Sequence, residues 1–212
     1  PREAVKGLRR GGVTVVVGAG AMGRMHVDLA LSAGIRARVV SDPLSERLAR
    51  VRTLFAERAV AAGVRLVCVP VGVDDLGATV DGLTGRRGAD DVIVAVGAAP
   101  AIEAAERLVG RGGVLNLCGG FRAGSEAIAL DGNRIHDRET VITGSSGGSP
   151  WDVARTLELI ADGGVAMAGH ITRVGDLAHA PALLRAIEAR ELDGKAVVYP
   201  HRRAGAILEV DA

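Results

Sequence analysis

The feature that most constrains this chain is a run of five β-favouring residues that leads directly into glycines. Val13-Thr-Val-Val-Val17 is followed by Gly18-x-Gly20-x-x-Gly23 and then by an apolar helical pattern. A run without polar alternation predicts a strand buried on both faces. Gly18 allows a tight turn, Gly20 lets a ligand approach the backbone, and Gly23 lets the helix pack closely on the strand. The free N–H groups at the start of that helix suit a pyrophosphate.

Asp42 strengthens this interpretation, because Gly-x-Gly-x-x-Gly alone is weak evidence in a chain with 30 glycines. A second strand is predicted at 37–41, and Asp42 closes it 24 residues after Gly18. This is close to the spacing of about 20 residues at which an acidic side chain meets the ribose hydroxyls of NAD. Asp42-Pro43 also suits the N-cap and first position of the next helix, either alone or together with ribose binding.

The rest of the chain alternates between short apolar strands and amphipathic helices. Further strands are predicted at 64–71, 91–96, 113–118 and 139–143, and residues 121–138 are predicted to be irregular. The alternation indicates an α/β fold, a doubly wound parallel sheet of the Rossmann type with six strands. Ligands of such sheets bind at the carboxyl ends of the strands, where Gly18–Gly23, Asp42, Gly97 and 118–120 are expected to meet.

The C-terminal part predicts one well-defined helix and then an appendage. Ser149, Pro150 and Asp152 suit the N-cap, N1 and N3 positions of a helix whose inner stripe is Val153, Leu157 and Ile160. A strand at 171–174, a helix at 177–189 and a strand at 196–199 form a strand–helix–strand appendage. We therefore divide the chain into an NAD-binding domain, 1–168, and a return segment, 169–212.

Composition excludes several classes of protein. The net charge is +1 with both signs interspersed, and only four residues are aromatic, so neither a nucleic-acid-binding nor a membrane-surface protein is expected. Cys68 and Cys118 lie in apolar strand-like runs and are expected to be buried thiols of a reducing compartment. No stretch has the features of a signal peptide or a membrane span, so a cytoplasmic location is expected.

Several motifs, in this order, resemble the cofactor half of the medium-chain dehydrogenase/reductase family, the zinc-type alcohol, polyol and threonine dehydrogenases. They are Val16-Val-Gly-Ala-Gly-Ala-Met-Gly23, Ser41-Asp42, Gly88-Ala-Asp-Asp-Val-Ile-Val94, Arg111-Gly-Gly-Val-Leu-Asn-Leu117 and Asp193-Gly-Lys-Ala-Val-Val-Tyr-Pro200. The resemblance runs from about Gly12 to Pro200. Gly119-Gly120 and Gly144-Ser-Ser-Gly-Gly148 resemble the polyol and sugar-phosphate branch most.

The resemblance implies an NAD site and the residues that form it. Asp42 would select NAD over NADP, because a carboxylate repels a 2′-phosphate. Arg47 would lie near the adenosine ribose, with a solvated helix face as the alternative. The nicotinamide would be lined by 118–120, and its carboxamide would meet the backbone of 145–146. The implied cofactor-binding residues are Gly18, Gly20, Ala21, Met22, Gly23, Asp42, Arg47, Val96, Gly97, Ala98, Cys118, Gly119, Gly120, Ser145 and Ser146.

The sequence departs from the family in its metal site. The family binds its catalytic zinc in a separate domain with a Gly-His-Glu motif, which this sequence lacks. We therefore expect no catalytic or metal-binding residue here, a catalytic domain as partner in cis or in trans, and apolar surface on the return segment. None of the five histidines is spaced as a ligand pair with another His or Cys. His26, one turn into the first helix, is expected either to face the cleft between the domains or to be a surface or packing residue.

The leading hypothesis is thus the NAD(H)-binding domain of a dehydrogenase acting on a small alcohol, polyol or sugar phosphate. Two other classes stay open: a regulatory domain that senses NAD(H) without catalysis, and, less favoured, a transferase that uses S-adenosylmethionine. An exposed edge strand of the sheet would also allow a homo-oligomer.

Overall fold

The central sheet is fully parallel and has the predicted six strands. The computed structural model describes residues 8–189, 191–201 and 205–210, so both ends of the predicted domain division lie outside the described residues. The strands are β1 (Val13–Val17), β2 (Ala37–Asp42), β3 (Arg65–Pro70), β4 (Ala89–Val94), β5 (Val109–Leu117) and β6 (Val141–Gly144). Their order is β3-β2-β1-β4-β5-β6. The direction of winding reverses between β1 and β4, which is where such sheets bind ligands.

Helices cover both faces of the sheet, as a doubly wound fold requires. They are α1 (Ala21–Leu31), α2 (Ser45–Ala61), α3 (Leu76–Thr84), α4 (Ala99–Glu106), α5 (Gly132–Arg138), α6 (Pro150–Ala161) and α7 (Ala180–Glu188). On one face, Val13 and Val15 of β1 share a core with Val80 and Ile102 of α3 and α4. On the other face, Val16 packs in the core that α1 and α2 form. The prediction that β1 is buried on both faces is confirmed.

The predicted strand–helix–strand appendage is confirmed and contains a third strand. β7 (Ile171–Asp176) precedes α7 in the chain and β8 (Lys195–Tyr199) follows it, and these two strands pair in parallel. β9 (Leu208–Glu209) pairs antiparallel with β7. The apolar surface expected on this segment is also present, since Leu177, Leu184 and Ile187 are all more than half exposed. Among the residues that the structure describes, no helix combines the length and apolar character that crossing a membrane requires.

A buried carboxylate ties this C-terminal region to the main core. Asp28 of α1 accepts hydrogen bonds from the amide of Ala166 at 2.9 Å and from Nε2 of His170 at 3.0 Å, and it pairs with Arg58 of α2. Burial on its own would raise the pKa of Asp28, but the bonds from His170, Ala166 and Arg58 outweigh it, so the pKa is lowered. The carboxylate is therefore charged at neutral pH and joins three segments of the chain.

Two predictions about the C-terminal half were wrong. Residues 121–138 are not irregular throughout, because α5 forms at 132–138, where the Asp131 side chain caps the helix by accepting from the amide of Arg134 at 3.1 Å. The helix was missed because it lacks an apolar stripe. The capping box of Ser149 and Asp152 at the start of α6 is confirmed. The supposed inner stripe of α6 is not buried, however, since Val153 and Leu157 are 57% and 61% exposed.

Candidate functional site

The three glycines after β1 have different surroundings. Gly18 has φ +100°, and a Cβ built there would lie 2.7 Å from Cγ1 of Val96. A Cβ on Gly23 would overlap the carbonyl oxygen of Gly18. The predicted turn and packing roles of these two glycines are therefore confirmed. Gly20 differs, because a Cβ there would meet only Nη1 of Arg47, at 4.0 Å. At Gly20 the backbone faces open space at the N-terminal end of α1.

Asp42 connects this turn to the segment that leads into α2. Oδ2 accepts from the amide of Ala19 at 2.7 Å, and Oδ1 accepts from the amide of Leu44 at 2.9 Å. The helix itself begins at Ser45 with Leu44 as N-cap, so the alternative in which Asp42 is the N-cap is wrong. Asp42 is only 2% exposed, and Nη1 of Arg47 lies 3.7 Å from its Oδ2. Arg47 is thus no freely solvated residue, because it lies between Asp42 and the open side of Gly20.

Three residues at the turn were not assigned to the site from sequence. Arg24 of α1 is fully buried, and its Nη1 donates to both carboxylate oxygens of Asp193, at 2.8 and 2.9 Å. Asp193 also lies 3.9 Å from Nε of Arg47. Lys195 at the start of β8 places Nζ 3.6 Å from the sulfur of Met22. The return segment therefore brings one carboxylate and one further cation to the glycine turn.

The loops that follow β4 and β5 pack backbone against backbone. A Cβ on Gly97 would overlap the carbonyl of Gly120, and a Cβ on Gly119 would overlap the backbone of Val96. The amides of Cys118 and Gly119 both donate to the carbonyl of Val94, at 3.0 Å. Close packing therefore explains why glycine occupies positions 97 and 119. Both residues lie along the same carboxyl edge of the sheet as Gly18.

His26 and Cys118 meet within this edge, with Nε2 3.2 Å from Sγ. Burial lowers the pKa of His26 to about 4, and the charge of Arg38 lowers it further. The imidazole is therefore neutral at pH 7 and provides no cation that would hold Cys118 as a thiolate. Of the two expectations for His26, the structure supports a packing residue that lies beside the crevice.

The carboxyl edge of the sheet is more open at its β6 end. The amide of Ser145 donates to the carbonyl of Leu117 at 3.1 Å, and its hydroxyl lies 3.5 Å from Oδ1 of Asn116. Ser146 is exposed. The predicted residues thus follow one another along the carboxyl ends of β2, β1, β4, β5 and β6.

A mainly apolar cleft of about 590 Å³ opens near the other end of this edge, between α3 and α4. Val17, Ser41, Leu76, Pro100 and Ala101 are among the residues that line it. Its wall is formed by the start of α4 and does not include Val96, Gly97 and Ala98, which were predicted to bind the cofactor. Its volume is within the range of small-molecule pockets, about 300–1,000 Å³.

No set of zinc ligands is present in the part of the chain that the structure describes. Nowhere in it do three or more His, Cys, Asp or Glu side chains come together as a metal site. Cys68 and Cys118 form no disulfide there.

Comparisons with known proteins identify the family of this chain. The pattern of the zinc-binding dehydrogenases matches residues 21–162. Mannitol-1-phosphate 5-dehydrogenase of Aliivibrio fischeri is 32% identical over 207 residues, which cover 94% of this chain and 48% of that protein. The chain therefore spans about half the length of this relative.

Solved structures show the same fold. The crystal structure of an alcohol dehydrogenase zinc-binding domain protein from Burkholderia ambifaria superposes with a TM-score of 0.78 at 18% identity, covering 94% of this chain and 51% of that one. A short chain alcohol dehydrogenase from Escherichia coli CFT073, complexed with NADH, gives a TM-score of 0.72 at 18% identity and covers 88% and 51%. With the family pattern extending over residues 21–162, this chain belongs to the zinc-binding dehydrogenases of the medium-chain dehydrogenase/reductase family, as a part that carries their Rossmann fold.

Proposed function

We propose that this chain binds NAD(H) at the carboxyl edge of its sheet, as the cofactor domain of a dehydrogenase. The observation that carries the proposal is the open backbone at Gly20, which lies at the N-terminal end of α1 with Arg47 beside it. A dinucleotide pyrophosphate needs close backbone approach, N–H donors and positive charge, and this position supplies all three. The family membership supports a dehydrogenase over a regulatory sensor or a methyl transferase.

The other residues of the edge have roles that follow from their positions. Arg47 and Lys195 flank the turn and would neutralise the two phosphates. The apolar cleft between α3 and α4 suits an adenine ring, because it is lined mainly by carbon. Cys118 would form part of the wall beside the nicotinamide, where it contacts the neutral imidazole of His26. When bound, the nicotinamide supplies the acceptor or donor of hydride, and the chain supplies its orientation.

Asp42 has a more specific role in this proposal. Its carboxylate is buried beneath Arg47 and bonded to the turn, so its negative charge is fixed at this end of the crevice. A 2′-phosphate placed there would meet that charge without a solvent shell to screen it. We therefore propose that NADH binds more tightly than NADPH.

Gly20→Ala is expected to leave the fold intact and to weaken NADH binding about tenfold or more, since a methyl group would stand where the pyrophosphate approaches the backbone. The measurement is a calorimetric titration of NADH into the wild-type chain and the variant. Gly82→Ala is the matched control, because a Cβ at this position of α3 meets nothing within 4 Å. Failure of the wild type to bind NADH, or equal affinity in Gly20→Ala, would contradict the proposal.

We further propose that the parent enzyme oxidises or reduces a polyol or sugar phosphate, and that this chain alone does not. The first statement is supported by the 32% identity to a mannitol-1-phosphate 5-dehydrogenase. The second is supported by the lack of a metal-binding cluster among the described residues. The chain, mixed with NAD, zinc and mannitol 1-phosphate, is expected to form no NADH by absorbance. Zinc-dependent turnover would show that the catalytic groups are present after all.

A further inference from the structure

We propose a second binding site, for a phosphorylated small-molecule anion, at the edge of the sheet opposite the glycine turn. A cleft of about 580 Å³ opens there, and we call it the basic cleft. Its charged lining consists of six arginines and only two carboxylates: Arg9, Arg10, Arg36, Arg87, Arg111 and Arg138, with Asp90 and Asp137. The whole chain has a net charge of only +1, so this is a local concentration of positive charge.

The position of the basic cleft separates it from the NAD crevice. Gly12 and Arg36 line it, and they directly precede β1 and β2. Gly88 also lines it and directly precedes β4. The cleft therefore lies at the amino ends of strands whose carboxyl ends form the proposed cofactor site. A ligand here would be bound independently of the dinucleotide.

Two of the six arginines are neutralised by carboxylates. Nη1 of Arg9 lies 2.8 Å from Asp90, and Nη2 of Arg111 lies 2.6 Å from Glu139. Both arginine side chains are at least 70% exposed, so these pairs contribute little and can rearrange.

The other four arginines form no ion pair with any carboxylate that the structure describes. Arg87 donates to the carbonyl of Thr84 at 2.9 Å, and Arg138 donates to the carbonyl of Val109 at 3.3 Å, which orients each guanidinium without neutralising it. Across the described residues, neither Arg10 nor Arg36 has a carboxylate partner within ion-pair distance. Four guanidinium groups that are unpaired within residues 8–189, 191–201 and 205–210 thus line one cleft, and a phosphate could accept bidentate bonds from them.

Glycines also line the basic cleft, among them Gly12 and Gly88. A Cβ on Gly12 would lie 2.9 Å from Oδ2 of Asp90, and a Cβ on Gly88 would lie 2.7 Å from Cα of Gly110. These two glycines are therefore packed closely against neighbouring segments of the chain. The volume is within the range of small-ligand pockets, about 300–1,000 Å³.

Titration of inorganic pyrophosphate into the full chain at low ionic strength, followed by calorimetry, tests the site. The double variant Arg10→Gln/Arg36→Gln is expected to bind pyrophosphate about tenfold more weakly than the wild type, because two charged contacts are lost. The control is Arg155→Gln/Arg185→Gln, which removes the same charge from exposed positions of α6 and α7 and is expected to bind as the wild type does. Circular dichroism confirms that each variant is folded.

A third variant separates the two sites. Arg47→Gln/Lys195→Gln removes the cations beside the glycine turn and is expected to keep the pyrophosphate binding of the basic cleft. The proposal is overturned if the wild type does not bind pyrophosphate, or if Arg10→Gln/Arg36→Gln binds it unchanged. It is equally overturned if the α6 and α7 control loses as much affinity, since binding would then reflect net charge alone. The NADH titration of Gly20→Ala is a separate measurement, so failure of the basic cleft to bind pyrophosphate can be distinguished from failure of the NAD(H) site.

Discussion

Asp193→Ala is expected to lower the free energy of unfolding by about 3 kcal/mol, because it leaves the buried guanidinium of Arg24 without its counter-ion. Arg24 is fully buried, and its Nη1 makes both bonds to the Asp193 carboxylate. Nη1 also donates to the carbonyl of Ala19 at 3.2 Å, but among the described residues Nε and Nη2 have no hydrogen-bond partner. Since the Asp193 side chain is 41% exposed, water can enter the vacated site, and we expect the low end of the range for a broken buried pair.

A double substitution tests whether the unpaired charge of Arg24 causes the loss of stability in Asp193→Ala. Arg24→Met/Asp193→Ala removes both charges and keeps an apolar chain in the buried site, so it is expected to be more stable than Asp193→Ala alone. Chemical denaturation of the wild type, both single variants and the double variant gives the coupling energy. A double variant less stable than Asp193→Ala would contradict this explanation.

The exposed pair Arg155–Glu158 on α6 provides the control. Its two side chains are 55% and 60% exposed, with 2.7 Å between Nη1 and Oε2. Glu158→Gln is expected to change the free energy of unfolding by less than about 0.5 kcal/mol, because a solvated pair contributes little. A loss similar to that of Asp193→Ala would mean that the denaturation midpoint responds to net charge rather than to burial.

The pair Arg24–Asp193 illustrates why part of the site could not be predicted from sequence. Arg24 and Asp193 are 169 positions apart, and nothing local to either residue indicates the contact. Gly18 and Gly23, by contrast, were predictable, because a strand, a tight turn and a helix that packs back on the strand are adjacent in sequence. The Asp193-Gly-Lys195 motif belongs to the family resemblance, but its position beside the glycine turn depends on how the return segment folds back.

Asp42 and α6 show two further limits. The spacing from Gly18 correctly indicated that Asp42 would lie beside the turn, yet it could not show that Ala19 and Leu44 occupy both carboxylate oxygens. In α6 the apolar stripe was real, but periodicity identifies only a face and not what covers it. Val153 and Leu157 on that face are exposed in the chain described here.

Acidification from pH 7 to 4.5 is expected to reduce the free energy of unfolding by about 2 kcal/mol through His26 alone. The pKa of His26 is lowered from 6.5 to about 4, first by burial and then by the charge of Arg38. Between these two values the unfolded chain binds a proton that the folded chain does not. The contribution of His26 is therefore fully present above pH 6.5 and is lost as the pH falls toward 4.

His26→Gln removes the titrating group and keeps a side chain that can contact Sγ of Cys118. Urea denaturation at pH 7 and 4.5 is expected to show a smaller loss for this variant than for the wild type, by about 2 kcal/mol. His136→Gln, which removes an exposed histidine of α5, is expected to keep the wild-type loss. Asp28 does not obscure the comparison, because its lowered pKa places its own loss of stability below this pH window. Equal losses in the wild type and His26→Gln would contradict the lowered pKa of His26. The imidazole beside Cys118 would then take up its proton in the folded chain, and the wall of the crevice would be charged at mildly acidic pH.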